Sequence, residues 1–176
     1  MIFGISGKMG SGKDTVGKII YDMLKPNCKI THFADPLKDL CINYLGLSYD
    51  DVYTENGKKQ FNDFWQMTNR EILQKVGTDA FRNGFDENVW VKITELNILS
   101  KPDCNFIIPD IRFDNEAEMV IKHHGIVLNI ERNNGNNNDH ISEQGISNNL
   151  ITVNIENDGS IEELKEKISE VIKNEI

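Results

Sequence analysis

A glycine-rich segment near the start of the chain constrains the fold more than any other feature of the sequence. Residues 7–15 read GKMGSGKDT and fit the pattern G-x-x-x-x-G-K. Backbone N–H groups of such a loop enclose a phosphate, and its lysine reaches the outer phosphate oxygens. An apolar run precedes the loop and an amphipathic helix is predicted from Lys13, so the helix N-terminus would point at the anion. The predicted nucleotide-phosphate residues are Gly7, Gly10, Ser11, Gly12, Lys13, Asp14 and Thr15.

Five short β-type runs alternate with helical or loop segments along the chain. They cover residues 2–6, 29–34, 105–109, 125–130 and 150–155. This alternation predicts an α/β fold with a mainly parallel, five-stranded sheet flanked by helices. Because the sequence shows neither a repeat nor a Pro-rich or Ser-rich linker, we expect a single domain over residues 1–176.

Capping residues predict where two helices begin. Asp35 is expected to cap a helix that carries Pro36 in its first turn. Thr68 and Glu71 have the spacing of a capping box, followed by a predicted buried face that extends to Ala80.

Composition excludes several classes of protein. The chain has 28 acidic and 19 basic side chains and a formal net charge of −9, so nucleic acid is not an expected partner. No apolar run approaches the roughly 20 residues that a membrane span requires, so no membrane association is expected. The three cysteines are scattered, and the first strand leaves no room for a signal peptide. We therefore expect a cytoplasmic protein, in the host cell if the source is viral.

Polar residues that follow the predicted strands indicate where a ligand would bind, because ligands of open α/β sheets collect beyond the carboxyl ends of the strands. Asp35, Asp110 and Arg132 hold such positions. Asp110 after an apolar strand resembles the aspartate that holds the metal shell in phosphate-loop proteins. Asp14 stands where Ser or Thr usually serves Mg²⁺. Asp14 as a metal ligand and Asp14 as a partner of the helix dipole both remain open, as does a metal role for Thr15.

Arginine is used sparingly, which draws attention to each one. The chain has four: Arg70, Arg82, Arg112 and Arg132. A chain that prefers lysine is expected to keep arginine where a planar, permanently charged group is needed, as in bidentate phosphate contacts. Arg70, Arg112 and Arg132 are therefore predicted to meet anions, whereas Arg82 is equally explained by a surface ion pair.

Two further sets of residues have open interpretations. His140, Ser142 and Glu143 follow an asparagine-rich loop and would either close over substrates or stay solvated. Phe64, Trp65 and Trp90 would either stack on a base or belong to the core. His32 lies inside a predicted strand and is expected to be structural.

Segments spread over almost the whole chain match the motifs of one family. The specific ones are GKDT at 12–15 and DIRFDNEA at 110–117. Less specific matches are FADPLK at 33–38, Arg70 with residues 73–74 and 77–78, NVW at 88–90, Arg132, His140, and residues 142–143. Together these segments resemble the bacteriophage deoxynucleoside monophosphate kinases, within the P-loop nucleoside monophosphate kinase group.

The resemblance implies a P-loop NTPase fold with a monophosphate-binding region at about 35–100 and a short lid at about 133–147. It implies that the γ-phosphoryl group of ATP, with Mg²⁺ present, passes to a deoxynucleoside monophosphate (dNMP). The implied catalytic residues are Lys13, Asp110, Arg112 and Arg132. The implied metal residues are Asp14, Thr15 and Asp110. The implied acceptor residues are Asp35, Lys38, Arg70, Gln74, Trp90, Arg112 and Glu143.

Alternatives remain at this stage. The GKD form of the loop also resembles phosphomevalonate kinases, and an acceptor of the dephospho-coenzyme A type or a non-catalytic nucleotide-binding protein stays open. A GTPase switch is not expected because the guanine-reading N-K-x-D string is absent. The expected partners are small nucleotides, and the oligomeric state is open, with a homodimer as one alternative.

Overall fold

The computed structural model describes residues 1–132 and 145–175. Within this part, the chain forms two compact units. Unit 1 comprises residues 1–32 and the chain from Ile98 onward, and unit 2 comprises Phe33–Asn97. Unit 2 thus corresponds closely to the region that the sequence analysis assigned to the monophosphate. Most of the predicted lid, residues 133–144, lies outside the described residues.

Unit 1 contains the main sheet and the helices that cover it. Its strands are β1 (Ile2–Gly7), β2 (Cys28–Ile30), β5 (Asn105–Ile108), β6 (Ile126–Glu131) and β7 (Val153–Glu156). Its helices are α1 (Lys13–Leu24), α7 (Asp114–Lys122) and α8 (Ile161–Glu175), with a 3₁₀ turn at Asn148–Leu150.

The sheet has the strand order β2-β5-β1-β6-β7, and every pairing in it is parallel. The predicted five-stranded α/β fold is therefore confirmed. Parallel pairing brings the carboxyl ends of the strands to one edge: Gly7 at the end of β1 lies opposite Ile130 of β6, and Glu131 lies opposite Glu156 of β7. The loop after β1 therefore lies beside the residues that follow β5 and β6.

Apolar side chains on both sides of the sheet hold unit 1 together. Phe3 and Ile5 of β1 are fully buried with Val16 and Ile20 of α1, so the predicted apolar stripe of that helix packs on the sheet. Ile168 of α8 belongs to the same cluster. On the other face, Val120 of α7 is buried beside Gly4 of β1, so both faces of the sheet are covered, as parallel sheets require.

Unit 2 is mainly helical. It contains α2 (Asp35–Leu45), α3 (Tyr49–Tyr53), α4 (Glu55–Lys59) and α5 (Asn69–Gln74), the last continuing into a π-helical segment, Lys75–Asn83. An antiparallel hairpin of β3 (Phe61–Asn62) and β4 (Met67–Thr68) precedes α5. Helix α6 (Val89–Leu99) completes the unit and leads back to unit 1. In the part of the chain that the structure describes, no helix has the length and apolar character to cross a membrane.

Short helices in unit 2 are held by a small core and by one buried amide. Cys41, Leu47, Val52 and Ile72 are buried together. The Asn69 side chain is 2% exposed, and its Nδ2 donates to Asp51 Oδ1 at 2.8 Å and to the Gly57 carbonyl at 2.9 Å. Asn69 therefore connects α3, α4 and α5, which are too short to be stable alone.

Several sequence expectations need correction. The second strand ends at Ile30 rather than at residue 34, because only Cys28–Ile30 pair with β5. Ala34, not Asp35, is the N-cap of α2, and Asp35 lies inside the first turn. The capping box of Thr68 and Glu71 is confirmed, but Ala80 is exposed because the chain changes to π-helical geometry at Lys75.

Candidate active site

Three glycines shape the loop between β1 and α1. Gly7, Gly10 and Gly12 have φ angles of 145°, 78° and 102°, which side chains other than hydrogen rarely permit. A Cβ atom on Gly7 would collide with the Ile130 carbonyl oxygen and lie 2.7 Å from Ser11 Oγ. These angles turn the chain back on itself directly before α1 begins, as a phosphate-enclosing loop requires.

The Lys13 ammonium lies across the loop. Its Nζ donates to the carbonyl of Gly7 at 2.7 Å and to the carbonyl of Lys8 at 2.9 Å. The side chain is half-buried, at the first residue of α1. The predicted positive charge is therefore present where the loop amides and the helix N-terminus would meet an anion.

Asn157, which the sequence analysis missed, supports the loop from the residue that follows β7. Its Nδ2 donates to the Ser11 carbonyl at 2.8 Å, and its backbone N–H donates to the Glu131 carbonyl at 2.8 Å. A Cβ atom on Gly12 would lie 2.5 Å from the same Nδ2. Gly12 is therefore required both for its backbone angle and for the close approach of Asn157.

A cleft of about 850 Å³ opens at the carboxyl edge of the sheet, beside this loop. Ser11 is buried, and neither Gly12 nor Thr15 lines the cleft. The predicted residues that do line it are Gly7, Gly10, Lys13, Asp14, Asp110, Arg112 and Arg132. Arg112, Arg132 and Asp110, all in unit 1, therefore line the same cleft as the phosphate loop.

The turn after β5 places two of these residues. Ile111 is 2% exposed, and its backbone N–H donates to the Ile5 carbonyl at 3.0 Å. This bond fixes the chain between Asp110 and Arg112, both of which line the cleft. A carboxylate and a guanidinium therefore face one cavity from positions two residues apart.

Several residues of the cleft were not singled out by the sequence analysis. Glu131, Glu156 and Asp158 contribute carboxylates, and Lys8 contributes an ammonium. His32 also lines the cleft, because the chain leaves strand geometry after Ile30; its assignment to a strand was wrong. Glu131 and Glu156 end β6 and β7, and Asp158 follows β7; the carboxyl ends of strands are where such residues could have been expected.

The residues present fit a magnesium ion that a nucleotide's phosphates would help to hold. Among residues 1–132 and 145–175, no group of three or more His, Cys, Asp or Glu side chains could hold a metal by itself. Mg²⁺ needs only one or two carboxylates when phosphates supply the other oxygens. Asp14 and Asp110 line the cleft, whereas the exposed Thr15 does not, so the two aspartates suit this role better than Thr15.

In unit 2, Asp35, Lys38 and Tyr53 form a cluster. Tyr53 donates its hydroxyl to Asp35 Oδ1 at 3.2 Å, and Lys38 Nζ lies 3.8 Å from the same oxygen and 4.1 Å from the centre of the Tyr53 ring. Burial, and then the negative charge of Asp35, raise the pKa of Tyr53 above its ordinary value. The Lys38 ammonium is thereby held between a carboxylate and an aromatic face.

Arg70 has a carboxylate partner in unit 2. Its Nη2 donates to Glu55 Oε2 at 2.7 Å, and Lys58 Nζ donates to Glu55 Oε1 at 3.1 Å. The hydrogen bond and charge of Lys58, followed by the charge of Arg70, lower the pKa of Glu55. All three groups are near the surface, so Arg70 can exchange Glu55 for another anion at small cost. Gln74 is exposed on the same helix.

Trp90 belongs to the core of unit 2, so its prediction as an acceptor-contacting residue needs correction. It is 4% exposed, donates from Nε1 to the Gly77 carbonyl at 3.0 Å and packs on the Phe81 ring at 5.1 Å. Little of its indole surface is therefore exposed for a base to stack on. Phe64, in contrast, is 84% exposed. The remaining predicted residues, His140, Ser142 and Glu143, lie outside the described residues.

The parallel sheet, the glycine loop and Lys13 define an α/β protein of the nucleotide-phosphate-binding, P-loop class. Comparison with protein families adds a narrower result: the model of the deoxynucleotide monophosphate kinases matches residues 47–168. The chain belongs to the deoxynucleotide monophosphate kinase family, and it is therefore a kinase, a phosphotransferase.

Individual relatives agree with this membership. A relative from Acanthamoeba polyphaga mimivirus, named as a putative deoxynucleotide monophosphate kinase, is 32% identical over 75% of this chain and 74% of its own length. The deoxynucleotide monophosphate kinase of Enterobacteria phage T4 is 36% identical over 63% of this chain and 47% of its own. The deoxynucleoside-5'-monophosphate kinase of Escherichia phage T5 is 26% identical over 86% of this chain and 87% of its own length. The chain thus matches only about half of the phage T4 relative.

Proposed function

We propose that this chain transfers the γ-phosphoryl group of ATP to a deoxynucleoside 5′-monophosphate, producing ADP and the deoxynucleoside diphosphate. The observation that carries the proposal is the geometry of the loop: three glycines with positive φ and the Lys13 ammonium fixed across two loop carbonyls. Family membership supports the choice of a nucleotide monophosphate as the acceptor. The other residues are assigned on this basis.

Residues of unit 1 are proposed to bind the ATP phosphates and to stabilise charge during transfer. The loop amides and Lys13 would neutralise the β and γ oxygens, and Arg112 and Arg132, which line the same cleft, would contact the transferred group. Phosphoryl transfer requires positioning and charge neutralisation rather than a nucleophilic side chain. The two lysines and two arginines of the cleft, which five carboxylates also line, support this assignment.

Mg²⁺ is proposed as the resident ion, with Asp14 and Asp110 as the residues that would hold it. When bound, it would neutralise phosphate oxygens and keep the donor in one orientation. The protein's own contribution is to present these two carboxylates at the rim of the phosphate loop.

Unit 2 is proposed to bind the acceptor through Lys38, Arg70 and Gln74. Lys38 is oriented by Asp35 and Tyr53, so its ammonium is available as a positioned charge. Arg70 would leave Glu55 for the monophosphate, which carries more charge than a carboxylate and can accept bidentate hydrogen bonds from a guanidinium. Glu143 is proposed as an acceptor contact only from the resemblance of the surrounding motif.

The surroundings of the reaction also form part of the proposal. We infer that the protein acts in the cytoplasm, that of the host cell if the source is viral, which the three free cysteines favour. A homodimer is proposed only as an alternative to a monomer, and nucleic acid and membranes are not proposed as partners.

A panel of acceptors tests this function. The protein is incubated with ATP, Mg²⁺ and each of the four dNMPs, and ADP and the diphosphates are measured by chromatography. Dephospho-coenzyme A and phosphomevalonate serve as competing acceptors in separate reactions. Diphosphate formation from at least one dNMP, with none of the competing products, supports the proposal. Transfer only to a competing acceptor, or ATP binding without any transfer, contradicts it.

A further inference from the structure

The first turn of α7 contains a buried carboxylate to which no role has yet been given. Glu116 is 4% exposed, although it belongs to a residue type that is seldom fully buried. Its Oε2 accepts from the backbone N–H of Arg112 at 2.9 Å and from the backbone N–H of Phe113 at 3.3 Å. The carboxylate therefore binds the chain of the turn that carries Arg112.

Two other helices of the chain, α5 and α8, also have a capping glutamate at their third position. Glu163 occupies the third position of α8 and accepts from the Ser160 backbone N–H at 3.2 Å, and Glu71 does the same for Thr68 at 2.7 Å. Both carboxylates are exposed, so water can replace their contacts. Glu116 makes the equivalent bonds from a buried position, so water replaces its carboxylate less readily than it replaces the two exposed ones.

The position of these bonds connects them with the cleft. Ile111 is fixed by its bond to the Ile5 carbonyl, and Arg112 is fixed by Glu116, so both sides of the turn after Asp110 are held to rigid elements. Arg112 itself is exposed along its side chain and lines the cleft. The direction in which a flexible guanidinium leaves the backbone depends on the orientation of that backbone.

We propose that Glu116 is a positioning residue for phosphoryl transfer: it fixes the backbone of Arg112 so that the guanidinium points into the phosphate cleft. The inference rests on the proposed function, because it assumes that Arg112 contacts the transferred group. Glu116 touches no substrate itself and acts through Arg112. A misplacement of about 1 Å at such a group can lower a rate by roughly 100-fold.

A double-mutant cycle tests this role. The rate constant kcat and the KM for ATP and dNMP are measured for the wild type, Arg112→Ala, Glu116→Ala and the double variant. We expect Glu116→Ala to lower kcat by roughly 10- to 100-fold with less than about a 3-fold change in the KM for ATP. The double variant should be no slower than Arg112→Ala alone, because removing the guanidinium removes what Glu116 positions.

Two controls separate positioning from general stability. Glu163→Ala removes a matched capping carboxylate that does not line the cleft, and it should keep the wild-type kcat. Glu116→Gln keeps one acceptor oxygen and should lose only roughly 3- to 10-fold, so the cycle can be repeated with glutamine if the alanine variant does not fold. Circular dichroism melting is recorded for every variant.

Losses that multiply in the double variant would overturn the inference, because they would show that Glu116 acts independently of Arg112. An unchanged kcat in Glu116→Ala or in Arg112→Ala would overturn it as well. A wild-type protein without transfer would overturn the proposed function together with this inference, whereas an active wild type with multiplying losses overturns the role of Glu116 alone.

Discussion

At the scale of single residues, the phosphate loop depends on backbone angles that only glycine adopts without strain. Gly7 has φ 145°, and the space beside it is filled by the Ile130 carbonyl and Ser11 Oγ. Gly46, which ends α2, has φ 75°, but a Cβ atom added to it would meet no neighbouring atom within 4 Å. The two positions separate the cost of the backbone angle from the cost of a collision.

We predict that Gly7→Ala lowers the free energy of unfolding by about 3 kcal/mol or more, because strain and collision add. Gly46→Ala should cost about 1 kcal/mol, from the left-handed angle alone. Urea denaturation followed by circular dichroism measures both. Equal losses in the two variants would show that the packing around Gly7 does not contribute.

Cys41 gives a residue-scale prediction on pH. The thiol is fully buried, and burial raises its pKa to about 11 from an ordinary value of 9.0. The folded protein therefore holds this proton more tightly than the unfolded chain does. The resulting stability is fully present below pH 9 and is lost as the pH rises toward 11.

We predict that the wild type loses more stability between pH 9 and pH 11 than Cys41→Ala does. The free energy of unfolding is measured by urea denaturation at several pH values in that range, with Cys104→Ala as the control for a less buried thiol. Parallel curves for the wild type and Cys41→Ala would contradict the prediction.

At the scale of secondary-structure elements, Trp90 is expected to stabilise the π-helical segment. Its indole N–H reaches the Gly77 carbonyl from a buried position, whereas the indole N–H of Trp65 reaches the Leu45 carbonyl at 2.9 Å from a partly exposed one. Removing the donor from a buried pair leaves a carbonyl unsatisfied, but water can replace a partly exposed donor.

We predict that Trp90→Phe lowers the free energy of unfolding by about 1–3 kcal/mol and that Trp65→Phe changes it by less than about 1 kcal/mol. Thermal and urea denaturation followed by circular dichroism give both values. A larger loss in Trp65→Phe than in Trp90→Phe would contradict the assignment of Trp90 to the core.

Helices and strands with strong local patterns were predictable, and those set by distant contacts were not. The stripe of α1 and the capping box of Thr68 and Glu71 are local, and both occur in the structure. Asp35 was expected to cap α2, but its carboxylate accepts from Tyr53, 18 residues away. The spacing of apolar residues does not predict the π-helical geometry after Gln74. The hydrogen bond to the Gly77 carbonyl comes from the side chain of Trp90 in α6, which is a separate helix.

At the scale of the whole molecule, sheet topology decides which residues meet. Asp110 and Arg132 could be placed at this edge because each follows a predicted strand, and parallel pairing brings such positions together. Lys13 could be placed there from the G-x-x-x-x-G-K pattern. Asn157 could not be assigned, since its bond to Ser11 spans 146 residues and a single asparagine has no motif. Trp90 was misassigned because an aromatic side chain in a family motif does not reveal its burial.

Charges of both signs line the cleft of a chain whose net charge is −9. Lys8, Lys13, Arg112 and Arg132 share the lining with five carboxylates, those of Asp14, Asp110, Glu131, Glu156 and Asp158. Local cations must therefore outweigh the molecular field at short range, where screening is weakest. This balance makes Lys13, fixed on the loop, the residue on which binding of the phosphates depends most.

Removing the Lys13 charge tests whether the phosphate loop carries the activity. The rate of dNMP phosphorylation is measured for Lys13→Ala and for Lys18→Ala, which removes an exposed lysine of the same helix that does not line the cleft. We predict that Lys13→Ala keeps its circular dichroism spectrum and that its rate of dNMP phosphorylation falls by at least about 100-fold. The rate of Lys18→Ala should stay near that of the wild type. A folded Lys13→Ala protein that phosphorylates dNMPs at the wild-type rate would contradict the account.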